Sequence, residues 1–302
     1  MTKQEVQLRV SKDGKPLDLS LFEWDENTNT FSSAESGLVL DFRNVAYCTF
    51  KTGSFCTFDT GYYCTFKTGS FCTFDTGYSC TFDTGYSCTF KTGDSCTFDT
   101  GYYCTFKTGD SCTFKTGSSC TFKTGEKSAI VRRDIFEVII LENGGEIQLC
   151  PYKIAGYLTK DGDKWMKDGE EYIIIDGILS KVISHKGGVY KVLNHGEREE
   201  SYIVTNGIAY SHGKTIKDAK ESLMFKISDR NVEDFKGMKL TDVVTLEQGV
   251  QMYRKITGSC ESQTKSFVQN LKEPKESYTI SEIIKITEGQ FGNNDFQNFF
   301  NN

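Results

Sequence analysis

Cysteine is the residue type with the most chemistry to offer in this sequence, and ten of the twelve cysteines recur every eight residues, from Cys48 to Cys120. Thiols at a regular spacing can form disulfides or bind zinc, but zinc-binding cysteines usually come as C-x-x-C pairs that converge on one point. Here a Phe stands two residues after each repeat cysteine, and free cysteine packs like a small hydrophobic side chain. We therefore expect a ladder of buried, reduced thiols, with no metal and no cofactor.

Four further residues outside the repeat could take part in catalysis or metal binding. His185, His195 and His212 fall in or beside predicted turns, and turn histidines without a fixed spacing are expected to be surface residues. Cys260 stands at a predicted helix start, where a thiol pKa can be lowered enough to make a nucleophile. Because no His/Asp pairing for Cys260 can be read from the sequence, we predict a protein without catalytic residues.

The segment Ser211-His-Gly-Lys-Thr215 resembles a phosphate-binding turn ahead of a helix. It lacks the second glycine and the length of a P-loop, so we interpret it as a strand-to-helix turn. Together with the absence of a catalytic pairing, this interpretation favours a binding or scaffold protein over an enzyme.

Composition and hydropathy disfavour several broad classes of protein. The 302 residues include 35 basic and 41 acidic side chains, for a net charge of −6, and the basic ones are scattered. A general nucleic-acid binder usually has a basic face, so nucleic acid is a less favoured partner. The N-terminus lacks the apolar core of a signal peptide, and no segment approaches the roughly 18 apolar residues of a membrane span. We expect a cytoplasmic protein with no membrane partner.

A tandem repeat dominates the first half of the chain. Ten consecutive C-T-F-[K/D]-T-G-x-x units occupy residues 48–127. Strand alternation places the Cys and Phe of each unit on one side and the first Thr and the Lys/Asp on the other. Phe is too apolar for a water-facing row, so Cys and Phe should point inward, and the Thr-Gly pair should end each strand with glycine at the positive φ of a tight corner. The pattern predicts a β-solenoid.

The charged position indicates how many units make one coil. One strand and corner cannot enclose a core, so a coil must contain two units (16 residues) or three (24 residues). Read two at a time, four of the five pairs are neutral, which favours a two-sided, 16-residue coil. The pairs are Lys51/Asp59, Lys67/Asp75, Asp83/Lys91, Asp99/Lys107 and Lys115/Lys123. Five coils at about 4.8 Å each predict a rod of roughly 24 Å.

The predicted fold is mainly β with a helical C-terminus. We expect an N-terminal cap at 1–39, the solenoid at 40–139, a β-rich middle domain at 140–211 and an α-helical module at 212–302. Leu40-Asp41-Phe42, with Leu in the cysteine slot, should extend the solenoid at one end. Ser128-Ala129-Ile130 and Phe136-Glu137-Val138 should extend it at the other, and these imperfect rungs should act as caps against end-to-end polymerisation.

The chain resembles proteins encoded by bacteriophages and prophages of gut-type bacteria. The resemblance rests on the octapeptide units, on Val131-Arg-Arg-Asp-Ile-Phe-Glu-Val138, and on Ser211-His-Gly-Lys-Thr215 and Tyr253-Arg-Lys-Ile-Thr-Gly258. It covers most of residues 40–300 and implies expression in the cytoplasm of an infected bacterium. It carries no catalytic residue to this sequence.

The charged rows and the corner tyrosines form the candidate interaction surface, because tyrosine is favoured at interface hot spots. We assign to this surface Lys51, Asp59, Lys67, Asp75, Asp83, Lys91, Asp99, Lys107, Tyr62, Tyr63, Tyr78, Tyr86, Tyr102 and Tyr103. The alternative is that the corner aromatics merely stack on one another along the rod.

Three functional hypotheses follow. The first is a non-enzymatic phage accessory protein that binds and inhibits a host protein, such as a CRISPR effector, another defence nuclease or a topoisomerase. Pentapeptide-repeat proteins, whose rods imitate DNA, are similar in shape only, because residues 48–125 contain six Lys and six Asp. The second is a structural virion, assembly or homo-oligomerisation scaffold. The third is a nucleic-acid-binding protein.

Overall fold

The structure, a computed structural model, describes residues 1–227, 231–271 and 273–301. The chain divides into two compact units, Met1–Lys160 and Asp161–Asn302. The four domain boundaries expected from the sequence stay a prediction.

The first unit is built almost entirely of short strands. It begins with α1 (Lys3–Gln7), β1 (Val10–Lys12), β2 (Lys15–Pro16), a 3-10 helix (Leu19–Leu21), β3 (Glu23–Asp25), β4 (Thr30–Ser32) and β5 (Leu38–Phe42). The repeat supplies β6 (Thr49–Lys51), β7 (Thr57–Thr60), β8 (Thr65–Thr68), β9 (Thr73–Asp75), β10 (Thr81–Thr84), β11 (Thr89–Lys91), β12 (Thr97–Asp99), β13 (Thr105–Lys107), β14 (Thr113–Thr116) and β15 (Thr121–Thr124). The unit closes with β16 (Ser128–Arg132), β17 (Glu137–Leu141), β18 (Gly145–Leu149) and β19 (Tyr157–Asp161).

Successive repeat strands alternate between two parallel sheets. β5, β7, β9, β11, β13 and β15 stack in one sheet, and β4, β6, β8, β10, β12, β14 and β16 stack in the other. Each residue therefore pairs with the residue sixteen positions away, as Phe66 does with Phe50 and Phe82. The two-sided, 16-residue coil of a β-solenoid is confirmed.

Cysteine and phenylalanine fill the space between the two sheets. Phe66 and Phe82 are at most 1% exposed, and their rings stack in parallel with centroids 4.9 Å apart. Phe74, from the opposite sheet, meets the Phe66 ring edge-on at 5.2 Å. All ten repeat cysteines are buried, so the predicted ladder of buried cysteines is confirmed. Offset and edge-on contacts of this kind add to the free energy of burial.

The corners differ from the sequence expectation. Glycines of the repeat do not adopt positive φ; the residue directly before each cysteine does, for example Tyr63 at 53° and Ser79 at 54°. Glycine is needed for another reason, because consecutive coils approach too closely for a side chain. A Cβ on Gly61 would lie 2.6 Å from the carbonyl oxygen of Val45. The expected role of Thr-Gly as a positive-φ corner was wrong.

The ends of the solenoid depart from the predicted register. Leu40 pairs with Phe58, so it occupies the phenylalanine slot and not the cysteine slot. Ser128-Ala129-Ile130 continues the parallel stack as expected. Phe136-Glu137-Val138 does not, because the chain reverses there and β17 runs antiparallel to β16. Antiparallel strands cover both ends of the solenoid, with β1 on β5, β3 on β4, β17 on β16 and β18 on β15.

A buried arginine anchors the C-terminal end of the solenoid. The Arg132 side chain has no solvent exposure, and its Nη2 donates to Asp134 at 2.8 Å. The same guanidinium donates to Glu137 at 3.3 Å and to the carbonyl oxygen of Ile154 at 2.7 Å. A guanidinium offers several donors in a fixed plane, so one side chain fixes the loop that follows β18.

The second unit combines an antiparallel meander with helices. Its strands are β20 (Lys164–Lys167), β21 (Glu170–Ile175), β22 (Ile178–Lys186), β23 (Val189–Asn194), β24 (Glu200–Thr205) and β25 (Tyr210–Gly213), and a small sheet pairs β26 (Val243–Thr245) with β27 (Ser277–Thr279). Its helices are α2 (Ile216–Ile227), a 3-10 turn (Glu233–Phe235), α3 (Leu246–Thr257), α4 (Glu261–Gln269), α5 (Ile280–Ile286) and α6 (Asn293–Asn301).

Capping interactions define the ends of the first helices of this unit. Thr215 and Asp218 exchange side-chain to backbone hydrogen bonds at 3.0 and 3.1 Å, and Thr245 caps α3, which ends at Gly258 in a left-handed conformation. The mainly β fold with a helical C-terminus is thus confirmed. Among the helices of the described residues, none combines the length and apolar character that a bilayer span would need.

Candidate functional site

The predicted interaction residues divide between two flat faces and two edges of the solenoid. Because each coil has two strands, the Lys/Asp position forms one charged row on each sheet. Face A carries Asp59, Asp75, Lys91, Lys107 and Lys123 on β7 to β15. Face B carries Lys51, Lys67, Asp83, Asp99 and Lys115 on β6 to β14. A row of threonines runs beside each charged row.

Face A separates its charges along the rod. Asp41 of β5 lies beside Asp59, so three acidic rungs precede three basic ones, and Arg43 pairs with Asp41 at 3.0 Å and with Asp59 at 3.3 Å. Lys91 donates to Asp75 at 2.6 Å where the two halves meet. On face B the signs alternate in shorter blocks, and Asp99 pairs with both Lys115 at 3.2 Å and Arg133 at 2.8 Å.

Four tyrosines form a contiguous exposed patch at the edge where the chain passes from face A to face B. We call Tyr47, Tyr62, Tyr63 and Tyr78 the tyrosine patch; their exposed fractions are 63%, 41%, 45% and 45%. Tyr47 stacks on Tyr63 and Tyr62 stacks on Tyr78, each with centroids 5.0 Å apart. Tyr63 also meets Tyr78 edge-on at 5.5 Å. Stacking fixes the rings while leaving their outer surface in solvent, and the role of these tyrosines as an interaction surface stays a prediction.

The remaining corner aromatics lie on the opposite edge. Phe55 stacks on Phe71 at 4.9 Å, and Tyr86 meets Phe71 edge-on. Tyr86, Tyr102 and Tyr103 are half-buried, and Tyr102 contacts Tyr152 at 6.1 Å. The structure therefore groups Tyr62, Tyr63 and Tyr78 together and places the other three predicted tyrosines elsewhere.

A second candidate site lies inside the second unit, where three chemically active side chains converge. The donor atoms of Asp176, His212 and Cys260 lie within 4.8 Å of one another, and all three residues are buried. Asp176 follows β21, His212 belongs to β25, and Cys260 is the N-cap of α4, where its Sγ accepts from the backbone N–H of Gln263 at 3.4 Å. His212 is completely buried, so its expected surface position was wrong. His185 and His195 are exposed, as expected.

A chain of hydrogen bonds fixes the tautomer of His212. The amide of Asn194 donates to Glu197 at 3.1 Å, which leaves its carbonyl oxygen to accept from the hydroxyl of Ser180 at 2.8 Å. Since that hydroxyl proton is used, Ser180 accepts from Nε2 of His212 at 3.5 Å. The ring proton is then on Nε2, and Nδ1 presents a lone pair.

Two atoms of the cluster are left without hydrogen bonds. Within the part of the chain that the structure describes, neither Nδ1 of His212 nor Oδ2 of Asp176 has a partner. Oδ1 of Asp176 binds Nζ of Lys226, which also donates to the carbonyl oxygen of Tyr210 at 3.1 Å. Buried polar atoms without partners are rare, because each costs the free energy of its lost hydration.

Electrostatics oppose proton transfer within the cluster. Burial, together with the nearby charge of Asp176, raises the pKa of the Cys260 thiol to about 11. Burial, together with Lys226, lowers the pKa of His212 to about 3. Both shifts oppose the transfer of a proton from the thiol to the imidazole.

Sequence reasoning singled out Cys260 and His212 separately but missed Asp176 and Lys226. Asp176 precedes Gly177 in a hairpin turn, and turn chemistry alone explains an Asp-Gly pair. The one usable signal was the N-cap position of Cys260, since a thiol at a helix N-terminus is unusual.

Comparison of the chain with models of known protein families, with curated proteins and with solved structures finds no match.

Proposed function

We propose that this protein is a non-enzymatic, phage-encoded accessory protein that binds and inhibits a host protein in the cytoplasm of an infected bacterium. A CRISPR effector, another defence nuclease or a topoisomerase is the class of target. The observation that supports binding is the tyrosine patch, in which four partly exposed rings are stacked on a rigid backbone. Rigid aromatic side chains give up little conformational entropy on binding, which is why they are enriched at interface hot spots.

The experiment compares tagged wild-type protein with a Tyr62→Ser/Tyr63→Ser/Tyr78→Ser variant in pull-downs from a phage-susceptible host lysate. The matched control is Phe55→Ser, which removes an aromatic that is 48% exposed on the opposite edge. We expect wild type and control to recover one host nuclease or topoisomerase and to inhibit it after purification, and the triple variant to lose both properties. Equal recovery and inhibition by the triple variant would contradict the tyrosine patch as binding surface, and recovery of no host protein by wild type would contradict the proposed function.

Self-association is the second candidate function, and the charge order on face A favours it. The rungs read Asp41, Asp59, Asp75, Lys91, Lys107, Lys123 from β5 to β15. A two-fold axis parallel to the strands, between β9 and β11, would set two such faces against each other with the rods antiparallel. Every acidic rung then faces a basic rung, and threonines face threonines, as an isologous interface requires.

The size of the face limits the strength of this association. Six rungs at about 4.8 Å and strands of three to four residues give a contact of roughly 300 Å² per partner. A standard stable interface buries about 800 Å² per partner. We therefore expect a weak, salt-sensitive dimer that serves as an assembly contact.

Charge exchange tests the self-association. Asp59→Lys/Asp75→Lys makes most of face A basic, and Lys91→Asp/Lys107→Asp makes most of it acidic. Each variant alone should be monomeric in sedimentation equilibrium at low salt, whereas an equimolar mixture should form heterodimers, because each rung again meets its opposite charge. The control, Asp83→Lys/Asp99→Lys on face B, should dimerise like wild type. A mixture that stays monomeric while wild type dimerises would exclude face A, and a monomeric wild type would exclude the dimer.

A further inference from the structure

The buried cluster of the second unit offers three donor atoms of the kinds that zinc prefers. Asp176 contributes a carboxylate oxygen, His212 an imidazole nitrogen and Cys260 a sulfur, all within 4.8 Å of one another. Zinc is bound in proteins by this mixture of sulfur, nitrogen and oxygen ligands, with three protein ligands where a fourth position stays open.

The orientation of the ligands supports the same conclusion. Ser180 holds the proton of His212 on Nε2, so the atom without a hydrogen-bonding partner among the described residues, Nδ1, carries the lone pair that a metal needs. Oδ2 of Asp176 is likewise buried and without such a partner. Metal-binding histidines usually donate their other ring N–H to a second group, which is the role that Ser180 has here.

We propose that Asp176, His212 and Cys260 form a zinc-binding site. Binding replaces the thiol proton of Cys260 with the metal and releases that proton to solvent, while His212 binds as the neutral imidazole it already is. Lys226 keeps its ion pair with Oδ1 of Asp176 and its bond to the carbonyl oxygen of Tyr210, because the metal would take Oδ2. Its side chain is 20% exposed, so its charge is not left in a dry interior.

The alternative use of the same residues is a structural hydrogen-bond network centred on the Lys226–Asp176 ion pair. The zinc site and the hydrogen-bond network predict different effects of the Lys226 charge. A cation beside a zinc site repels the metal, whereas the same cation stabilises a metal-free network.

The first measurement is the zinc content of the full-length protein after incubation with zinc chloride and dialysis. We expect one zinc per chain that Cys260→Ser loses and Cys150→Ser, a control at the other buried cysteine outside the repeat, retains. Cobalt in place of zinc should give a thiolate-to-cobalt charge-transfer band in the near ultraviolet that is absent from Cys260→Ser. Chelator competition should place the zinc affinity of Cys260→Ser lower by more than about 100-fold.

Lys226→Gln keeps the proposal testable if Cys260→Ser fails to fold. Removal of the repelling charge should raise zinc affinity by at least about tenfold and increase the thermal stabilisation that zinc gives. Zinc binding by wild type that is no tighter than binding by Cys260→Ser, or a cobalt spectrum without a thiolate band, would overturn the site. Destabilisation of Lys226→Gln without any zinc binding would assign the cluster to the structural network. None of these outcomes depends on the proposed inhibition of a host protein.

Discussion

Burial in the apolar stack of the solenoid removes the water that would stabilise the ionised form of a repeat thiol. Burial and the neighbouring Cys64 raise the pKa of Cys48 to about 11 from 9.0, and a hydrogen bond with Cys104, together with burial, raises that of Cys88 to about 12. Such a group binds its proton more tightly in the folded state. Its contribution to stability is complete below the unfolded pKa and is lost as the pH rises towards the folded value.

We therefore expect the thiols whose pKa is raised, such as Cys48 and Cys88, to destabilise the solenoid in alkali. The free energy of unfolding should fall between pH 9 and pH 11 with a slope of up to about 1.4 kcal/mol per pH unit for each such thiol. Urea denaturation followed by circular dichroism measures this slope, and Cys88→Ala, which removes one titrating thiol, should reduce it. A midpoint that does not change across this range would contradict the burial of reduced thiols.

Arg132 is the residue on which the end of the solenoid depends most. Replacement by Met would leave the carboxylate of Asp134, which is also fully buried, without its cation. We expect a loss of about 3–5 kcal/mol in the free energy of unfolding, measured by urea denaturation. Arg133→Met is the matched control, because Arg133 is 41% exposed and its ion pair with Asp99 should contribute within about 1 kcal/mol. Similar losses for both variants would contradict this role of Arg132.

For single residues, the sequence predicted which way each repeat side chain points, because two-residue alternation and the apolar character of Phe are local properties. It did not predict the burial of His212, since its neighbours Asp176 and Cys260 are distant in sequence. The packing of α4 and of β21 against β25 brings these three residues together, and no local pattern records that packing.

Among the elements, the corner is where the repeat is most constrained. The sequence suggested a glycine at positive φ because Thr-Gly is common in tight turns. The structure instead gives glycine the role of a spacer between coils, a role that depends on residues sixteen positions away and that no single turn reveals. The positive φ falls on Phe, Tyr, Ser and Lys residues, which lack the usual signature of that conformation.

The close approach at Gly61 and the positive φ at Ser79 predict different effects of substitution on stability. Gly61→Ala should cost about 1–3 kcal/mol, because its methyl group would overlap the backbone of Val45. Ser79→Gly should change stability by less than about 1 kcal/mol, because relief of the strained φ offsets the added freedom of the unfolded chain. Thermal denaturation of both variants measures the difference, and a larger loss for Ser79→Gly than for Gly61→Ala would reverse our assignment.

In the first unit the stabilising contacts are spread along the whole stack, whereas the strand edges that must be covered lie at its two ends. Parallel strands with unpaired edges recruit further strands, and solenoids avoid this with caps. Here the N-terminal cover consists of α1 and β1 to β3, packed over β4 and β5.

Removal of residues 1–25 should therefore cause end-to-end association, which light scattering after size-exclusion chromatography would detect as concentration-dependent oligomers. Deletion of residues 64–95, two complete coils, is the control. It leaves both covers in place and should give a shorter protein with unchanged association. A truncated protein with the association behaviour of the full-length chain would show that the N-terminal cover is dispensable.

The eight-residue unit is only half of a coil, and this gives the solenoid a parity rule. Addition or loss of sixteen residues lengthens or shortens the stack and leaves its two covers in the same orientation. Addition of a single octapeptide would also fit the core, because every unit presents the same Cys and Phe, but it would transfer all later strands to the other sheet. One cover would then be turned by half a revolution relative to the other. An even change in the number of octapeptide units therefore keeps the relative orientation of the two covers, whereas an odd change reverses it.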